Sequence, residues 1–220
     1  MTSTPREFTA PAMAARTAAI LFIFVIVFTA LLSGAYLWTR PAIEASALDE
    51  KMKLLNEVLP AGDYDNALLG SSLMLPPTAE LGLKEPSTVY LATKNGQPSA
   101  MIFEAAANDG YAGRIKLLIA VRHDGTVAGV RVTQHKETPG LGDYIEPKKD
   151  KNKERPWITQ FTGLALASTP DKAWRVKKDG GQIDYYAGAT VSPRAIAKAV
   201  LKAVHWADRE RDHLFSGGKE

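Results

Sequence analysis

The hydrophobic pattern opens on one long apolar run. Thr17 to Trp38 reads TAAILFIFVIVFTALLSGAYLW, carries no charge and is flanked by Arg16 and Arg40. At about 1.5 Å rise per residue, such a helix covers the roughly 30 Å hydrocarbon core of a bilayer. Tyr36 and Trp38 fall where an aromatic belt would meet the headgroups. The competing reading is a cleaved signal peptide, for which Ser33-Gly34-Ala35 supplies small residues. The run exceeds the roughly 7–15 residues of a signal-peptide core, which favours a retained transmembrane helix. The expected order is an N-terminal cytoplasmic segment, 1–16, then a transmembrane helix, 17–38. Lysine and arginine do not settle the orientation, with Arg6 and Arg16 on one side and Arg40, Lys51 and Lys53 on the other. A long folded domain is exported largely regardless of its charge, so the C-terminal domain is expected outside.

After Pro41 the period changes. Ile43, Ala47, Leu48, Met52, Leu55 and Leu59 fall on one stripe at mostly three- and four-residue steps. This predicts an amphipathic juxtamembrane helix over 42–60, stopped by Pro60 and Gly62, whose stripe packs on the domain that follows. The remaining residues, 61–220, form that domain. Strands are expected over Ser87 to Thr93, Pro98 to Ala106, Ile115 to Arg122 and Thr126 to Gln134, each rich in β-branched or aromatic residues. Asn95-Gly96 and Asp124-Gly125 read as type I′ hairpin turns, which need positive φ at both positions. Pro147 to Arg155 reads as a polar loop and Trp157 to Phe161 as a short helix. A last strand around Gln182 to Tyr186 is expected to run into a helix with Ser192 as N-cap and Pro193 in its first turn. Ile196, Val200, Val204 and Ala207 form the buried stripe of that helix. The fold class is α+β, an antiparallel sheet packed with helices and preceded by one N-terminal transmembrane helix.

Composition removes several functions. There is no cysteine, which excludes structural disulfides, cysteinyl flavins, c-type haem and thiolate-held iron–sulfur clusters. The net charge of +3 is too small to argue for nucleic acid as a partner. The mixed-sign stretches Lys148 to Arg155 and Lys202 to Glu220 read as solvated surface. His123, His135, His205 and His213 are scattered without metal-ligand spacing, so no metal is expected. No dinucleotide fingerprint is present, which argues against direct NADH binding.

The candidate chemistry lies in Asp184-Tyr185-Tyr186-Ala187-Gly188-Ala189-Thr190-Val191-Ser192-Pro193. Ala187, Gly188 and Ala189 leave room for a bulky group near the backbone. The helix N-terminus beginning near Ser192 offers free N–H groups and a positive dipole end, which suits a phosphate, and Thr190 places a hydroxyl beside it. An ordinary small-residue turn before a helix has the same look. A second segment, Thr138-Pro139-Gly140-Leu141-Gly142, allows close backbone approach around Leu141, or is simply a turn after a strand. His135 and Glu137 share a face if the strand continues, where they would orient this loop or move a proton. Trp157 and Trp174 read as core residues.

Asp-x-x-Ala-Gly-Ala-Thr before a C-terminal helix resembles the flavinylation motif of FMN-binding domains. Gly110-Tyr111-Ala112-Gly113-Arg114-Ile115, His135-Lys136-Glu137-Thr138-Pro139-Gly140-Leu141-Gly142 and Trp157-Ile158-x-Gln160-Phe161 resemble further motifs of that family, in its order. With the membrane segment, the likeness covers nearly the whole chain. It is nearest to the RnfG component of the Rnf ion-translocating electron-transport complex. The compact length and Ala187 favour that over the corresponding FMN-carrying component, the C-type one, of the sodium-translocating NADH:quinone reductase. The resemblance implies FMN esterified through its phosphate to Thr190 Oγ, attached by a flavin transferase that reads the motif, with Asp184 a candidate for recognition. Beside that motif, the Thr138 to Gly142 loop is expected against the flavin with Leu141 on the isoalloxazine ring, and Glu137 is expected to orient the loop or move a proton to the reduced flavin. It also implies electron transfer between ferredoxin and NAD, coupled to Na⁺ or H⁺ movement with other Rnf subunits. The site would lie on the periplasmic side of a bacterial inner membrane. A tethered scaffold or ligand-binding domain without flavin is the alternative of another class.

Overall fold

The computed structural model describes residues 10–217. Arg6 and the rest of 1–9, within the expected cytoplasmic segment, and the tail residues 218–220 lie outside the described residues. The chain divides into two compact units, one ending at Lys51 and one beginning at Met52.

Helix α1, Ala10–Val58, contains Pro41. The two helices expected on either side of this proline are therefore one element. Pro41 removes a single ladder bond, the one to the carbonyl of Leu37. The following residues, AIEASALDEKMKLLNEV, are rich in strong helix formers that restart the ladder at once. The apolar stretch of α1 is long and apolar enough to cross a membrane.

The second unit is built on a five-stranded sheet in the order β1-β2-β3-β4-β5. The strands are β1 Ser72–Leu75, β2 Ser87–Lys94, β3 Gln97–Gly110, β4 Gly113–Arg122 and β5 Val127–Gln134. Every neighbour pairs antiparallel. Strands β2 to β5 lie where the β-branched and aromatic stretches place them. Strand β1 was not expected; it is short, on the sheet edge and largely exposed, so it carries no alternation to read.

Alternation along the strands feeds two cores. Val89, Met101, Phe103, Leu117 and Ile119 face one side. Tyr90, Ile102, Leu118 and Ala120 face the other. The first side is covered by helix α2, Val191–Phe215, through Ile196, Val200, Val204 and Ala207. The second is covered by Leu55, Val58, Leu59 and Leu68. A Cβ on Gly129 of β5 would stand 2.6 Å from the Val58 carbonyl oxygen, so the missing side chain admits that backbone. The docking role of Leu55 and Leu59 is as expected.

The two hairpin turns differ. Asn95 and Gly96 both have positive φ, 52° and 73°, as a type I′ turn demands. At Asp124-Gly125 only Gly125 is positive, at 83°. Gly125 N–H donates to Arg122 O at 2.9 Å and Arg122 N–H to Thr126 O at 2.8 Å. This is a three-residue loop closed by a left-handed glycine, not the expected type I′ turn.

The strand expected at Gln182 to Tyr186 does not form. A single bridge joins Val176 and Ile183. The backbone of Asp184 is taken up by side chains instead: its N–H donates to Gln160 Oε1 at 2.8 Å and its carbonyl accepts from Trp157 Nε1 at 2.6 Å. Trp157 and Trp174 are buried, as expected.

Candidate functional site

Helix α2 begins at Val191, with Thr190 in the N-cap position. The expected start lay further on, with Ser192 as cap. Thr190 has φ −90° and ψ −23°, and its side chain makes no capping hydrogen bond. The hydroxyl is therefore left for other chemistry. The first main-chain bond returned to Thr190 O comes from Arg194 N–H, at 3.2 Å. Pro193 has no donor, and the N–H groups of Val191 and Ser192 belong to the first turn, which has no intrahelical acceptors. An anion beside Thr190 would meet these donors and the positive end of the helix dipole. The cation of that first turn, Arg194, forks onto Asp179 at 2.5 and 2.8 Å. That contact holds the Asp179 carboxyl below its ordinary range.

Ser192 is buried and does something other than capping. Its hydroxyl donates to Glu137 Oε2 at 2.6 Å. Ala112 N–H, at the tip of the β3–β4 hairpin, donates to the other carboxyl oxygen at 3.2 Å. Glu137 is only 5% exposed, so this carboxyl ties three pieces together inside the protein: hairpin tip, post-β5 loop and helix start. Strand β5 ends at Gln134, so His135 and Glu137 do not continue it. His135 Nδ1 accepts from Glu137 N–H at 3.0 Å, and its Nε2 lies 3.0 Å from Glu146 Oε1. An accepting Nδ1 requires the proton of a neutral ring on Nε2, facing Glu146. Gly142 fits under this carboxyl, since a Cβ there would lie 3.0 Å from Glu137 Oε2.

These contacts close a pocket of about 120 Å³, lined by Tyr111, Glu137, Thr138, Leu141, Gly142, Gly188, Ala189, Thr190, Val191 and Ser192. Both predicted segments thus form its walls. A second hollow of about 520 Å³ adjoins Leu141 and takes in Gly140, Ala187, Tyr144, Tyr186, Lys149 and Lys151. Pro139 is exposed and lines neither pocket. Asp184 also stands apart, with its side chain ion-paired to Lys177 at 2.5 Å. Gly188 has φ +86°, a conformation that a side chain would strain.

Sequence reasoning missed Tyr111, Tyr144 and Tyr186. Tyr111 lay within a motif, and its place at a glycine-flanked hairpin tip was the available signal. Tyr144 and Tyr186 meet only through the fold, with ring centroids 4.2 Å apart, and no local pattern announces the pair.

The pocket suits FMN in kind. It is small-residue and largely apolar, with a helix N-terminus and an uncommitted hydroxyl at one side. Leu141 and Tyr111 offer exposed apolar surface, 50% and 70% exposed, against which a flat ring can lie. The pocket is too small to engulf a tricyclic ring, so it would seat only part of the molecule.

Comparison with known proteins agrees. Residues 110–205, from the β3–β4 hairpin into α2, match the FMN-binding domain family. Fold and pocket therefore define a flavin-binding domain carried behind a membrane-anchoring helix. Residues 9–58 match the RnfG N-terminal region. The G component of a Pseudomonas aeruginosa ion-translocating oxidoreductase complex is 42% identical over 201 residues, 91% of this chain and 92% of that protein. The G components from Shewanella baltica, 39% identical over 90% of this chain and 91% of their own length, and Pseudoalteromonas atlantica, 37% over 94% of each, are also similar. The chain belongs to the RnfG family, the G components of ion-translocating oxidoreductase complexes.

Proposed function

We propose that this chain relays electrons through FMN esterified to Thr190, as the membrane-anchored RnfG component of an Rnf-type complex. The family and the FMN-binding domain support an electron-transfer role within an ion-translocating oxidoreductase complex. The observation that carries the covalent reading is the position of Thr190: at the start of α2, on the pocket wall, with its hydroxyl uncommitted to capping. The chain has no thiol with which to hold a redox group instead.

Bound there, FMN supplies one- and two-electron chemistry. The residues of this chain anchor and orient it. Thr190 would provide the ester oxygen, the N–H groups of Val191 and Ser192 would hold the phosphate, and Leu141 and Tyr111 would cover part of the ring. A threonine hydroxyl is a weak nucleophile without activation, so a flavin transferase acts on the exported domain. The membrane segment carries no charge, so partner subunits move the ion. The FMN domain lies on the periplasmic side. Because the chain lacks cysteine, a single Ser216→Cys on an exposed surface reports sidedness. A membrane-impermeant maleimide labels it in intact spheroplasts if the domain is outside, and only after lysis if it is not.

The decisive test of the covalent reading uses the full-length protein co-expressed with a flavin transferase and run on a denaturing gel. The wild-type band fluoresces as flavin and the Thr190→Val band does not. A dark wild-type band, with the same transferase active on another acceptor, would return the chain to the scaffold alternative.

A further inference from the structure

The turn that presents Thr190 is held from behind by groups outside the small pocket. Tyr186 to Ala189 closes on itself, Ala189 N–H donating to Tyr186 O at 3.1 Å. A phenol from another part of the chain spans its two ends. Tyr144 Oη accepts from Tyr186 N–H at 3.3 Å and donates to Ala189 O at 3.0 Å. Tyr144 is 4% exposed and sits in the turn Asp143–Ile145, directly after the Thr138 to Gly142 segment. Its ring packs edge-on against Trp157 at 5.8 Å. Tyr186 is tied down in turn, its hydroxyl donating to Asp150 Oδ1 at 2.9 Å. Asp150 is 1% exposed, and its carboxyl also accepts from Asn152 N–H at 3.0 Å and Trp157 N–H at 2.5 Å. Three donors fix that carboxyl, which fixes Tyr186.

We propose that Tyr144 is a positioning residue for flavin attachment, its hydroxyl bridging the two ends of the Tyr186–Ala189 turn and so setting where Thr190 offers its oxygen. This rests on the Thr190 reading. In attachment, the Thr190 Oγ–phosphorus bond forms and the phosphoanhydride bond of a flavin dinucleotide donor breaks. The nucleoside monophosphate leaves with the bonding pair, and the hydroxyl proton passes to a base on the transferase. FMN itself would have to expel water, a poor leaving group, so the activated dinucleotide is the donor class. In-line attack demands a fixed acceptor oxygen, and a turn that must be ordered at each encounter loses rate rather than affinity. Burial pushes the Tyr144 phenol up to about 12, so it keeps the proton it donates at physiological pH.

The test incubates detergent-purified full-length protein with purified transferase and flavin dinucleotide, following covalent fluorescence at varied acceptor concentration. Tyr144→Phe keeps the ring and removes the bridge; kcat should fall about tenfold with KM within about twofold. Tyr186→Phe, which keeps the bridge and loses the Asp150 tie, should fall about two- to threefold. Phe161→Leu, which loosens the packing around Trp157 but removes no hydrogen bond to the turn, should retain wild-type kcat. Tyr144→Phe labelled at the wild-type rate, or Phe161→Leu slowed as much as Tyr144→Phe, would overturn the proposal while leaving the Thr190 reading intact. An unlabelled wild type with active transferase would overturn both.

Discussion

The two walls of the pocket are secured by different chemistry. The Glu137 to Gly142 wall is tied by a buried carboxyl that takes a hydroxyl from the helix start and an N–H from the hairpin tip. The Tyr186 to Thr190 wall is tied by one neutral phenol, that of Tyr144, which bridges its backbone. The first tie joins elements of the domain's framework; the second only shapes a turn. Breaking the first should damage the fold, whereas breaking the second should spare the fold and damage the site.

The largest effect belongs to Glu137→Ala. It leaves Ser192 Oγ and Ala112 N–H without their acceptor, and should lower unfolding free energy by about 3 kcal/mol. Urea denaturation followed by tryptophan fluorescence measures this; a loss under about 1 kcal/mol would show the carboxyl is not a framework tie. Gly188→Ala comes next, costing about 1 kcal/mol through its positive φ. The same titration should find it milder than Glu137→Ala, while flavin attachment drops more than stability does. If attachment is untouched, the turn's shape does not matter.

A last effect is confined to alkaline solution. The folded-state pKa of Tyr144 lies above the ordinary tyrosine value, mainly through burial. Its protonated form therefore stabilises the fold fully below about pH 10, and that contribution is lost as pH rises toward about 12. Wild-type stability should decline across this window, and the decline should be shallower in Tyr144→Phe. Equal slopes would mean the phenol is not buried in solution.

The same contrast explains what the sequence made legible. The sheet was readable because the stretches that form β2 to β5 are rich in β-branched and aromatic residues and bounded by turn signals such as Asn95-Gly96 and Asp124-Gly125. The Thr138 to Gly142 and Gly188 to Ser192 segments stood out through their small residues and the family motifs they resemble, and they meet at one pocket. The carboxyl tie was half-visible: Glu137 was singled out, but Ser192 read as a cap because its partner lies 55 residues away. The phenol tie was invisible, since Tyr144 and Tyr186 carry no periodicity and meet only through the fold. Gln182 to Tyr186 read as a strand because its composition is right, yet side chains from Trp157 and Gln160 claim the Asp184 backbone. The helices on either side of Pro41 were read apart because the hydrophobic pattern changes there, while the helix formers after it carry one helix through.

The most direct measurement is peptide mass spectrometry on protein purified from its native membrane. The account predicts that the peptide spanning Asp184 to Arg194 carries the mass of an FMN phosphoester, with fragments placing it on Thr190. An unmodified Thr190 in that preparation, or flavin on a different side chain, would contradict it.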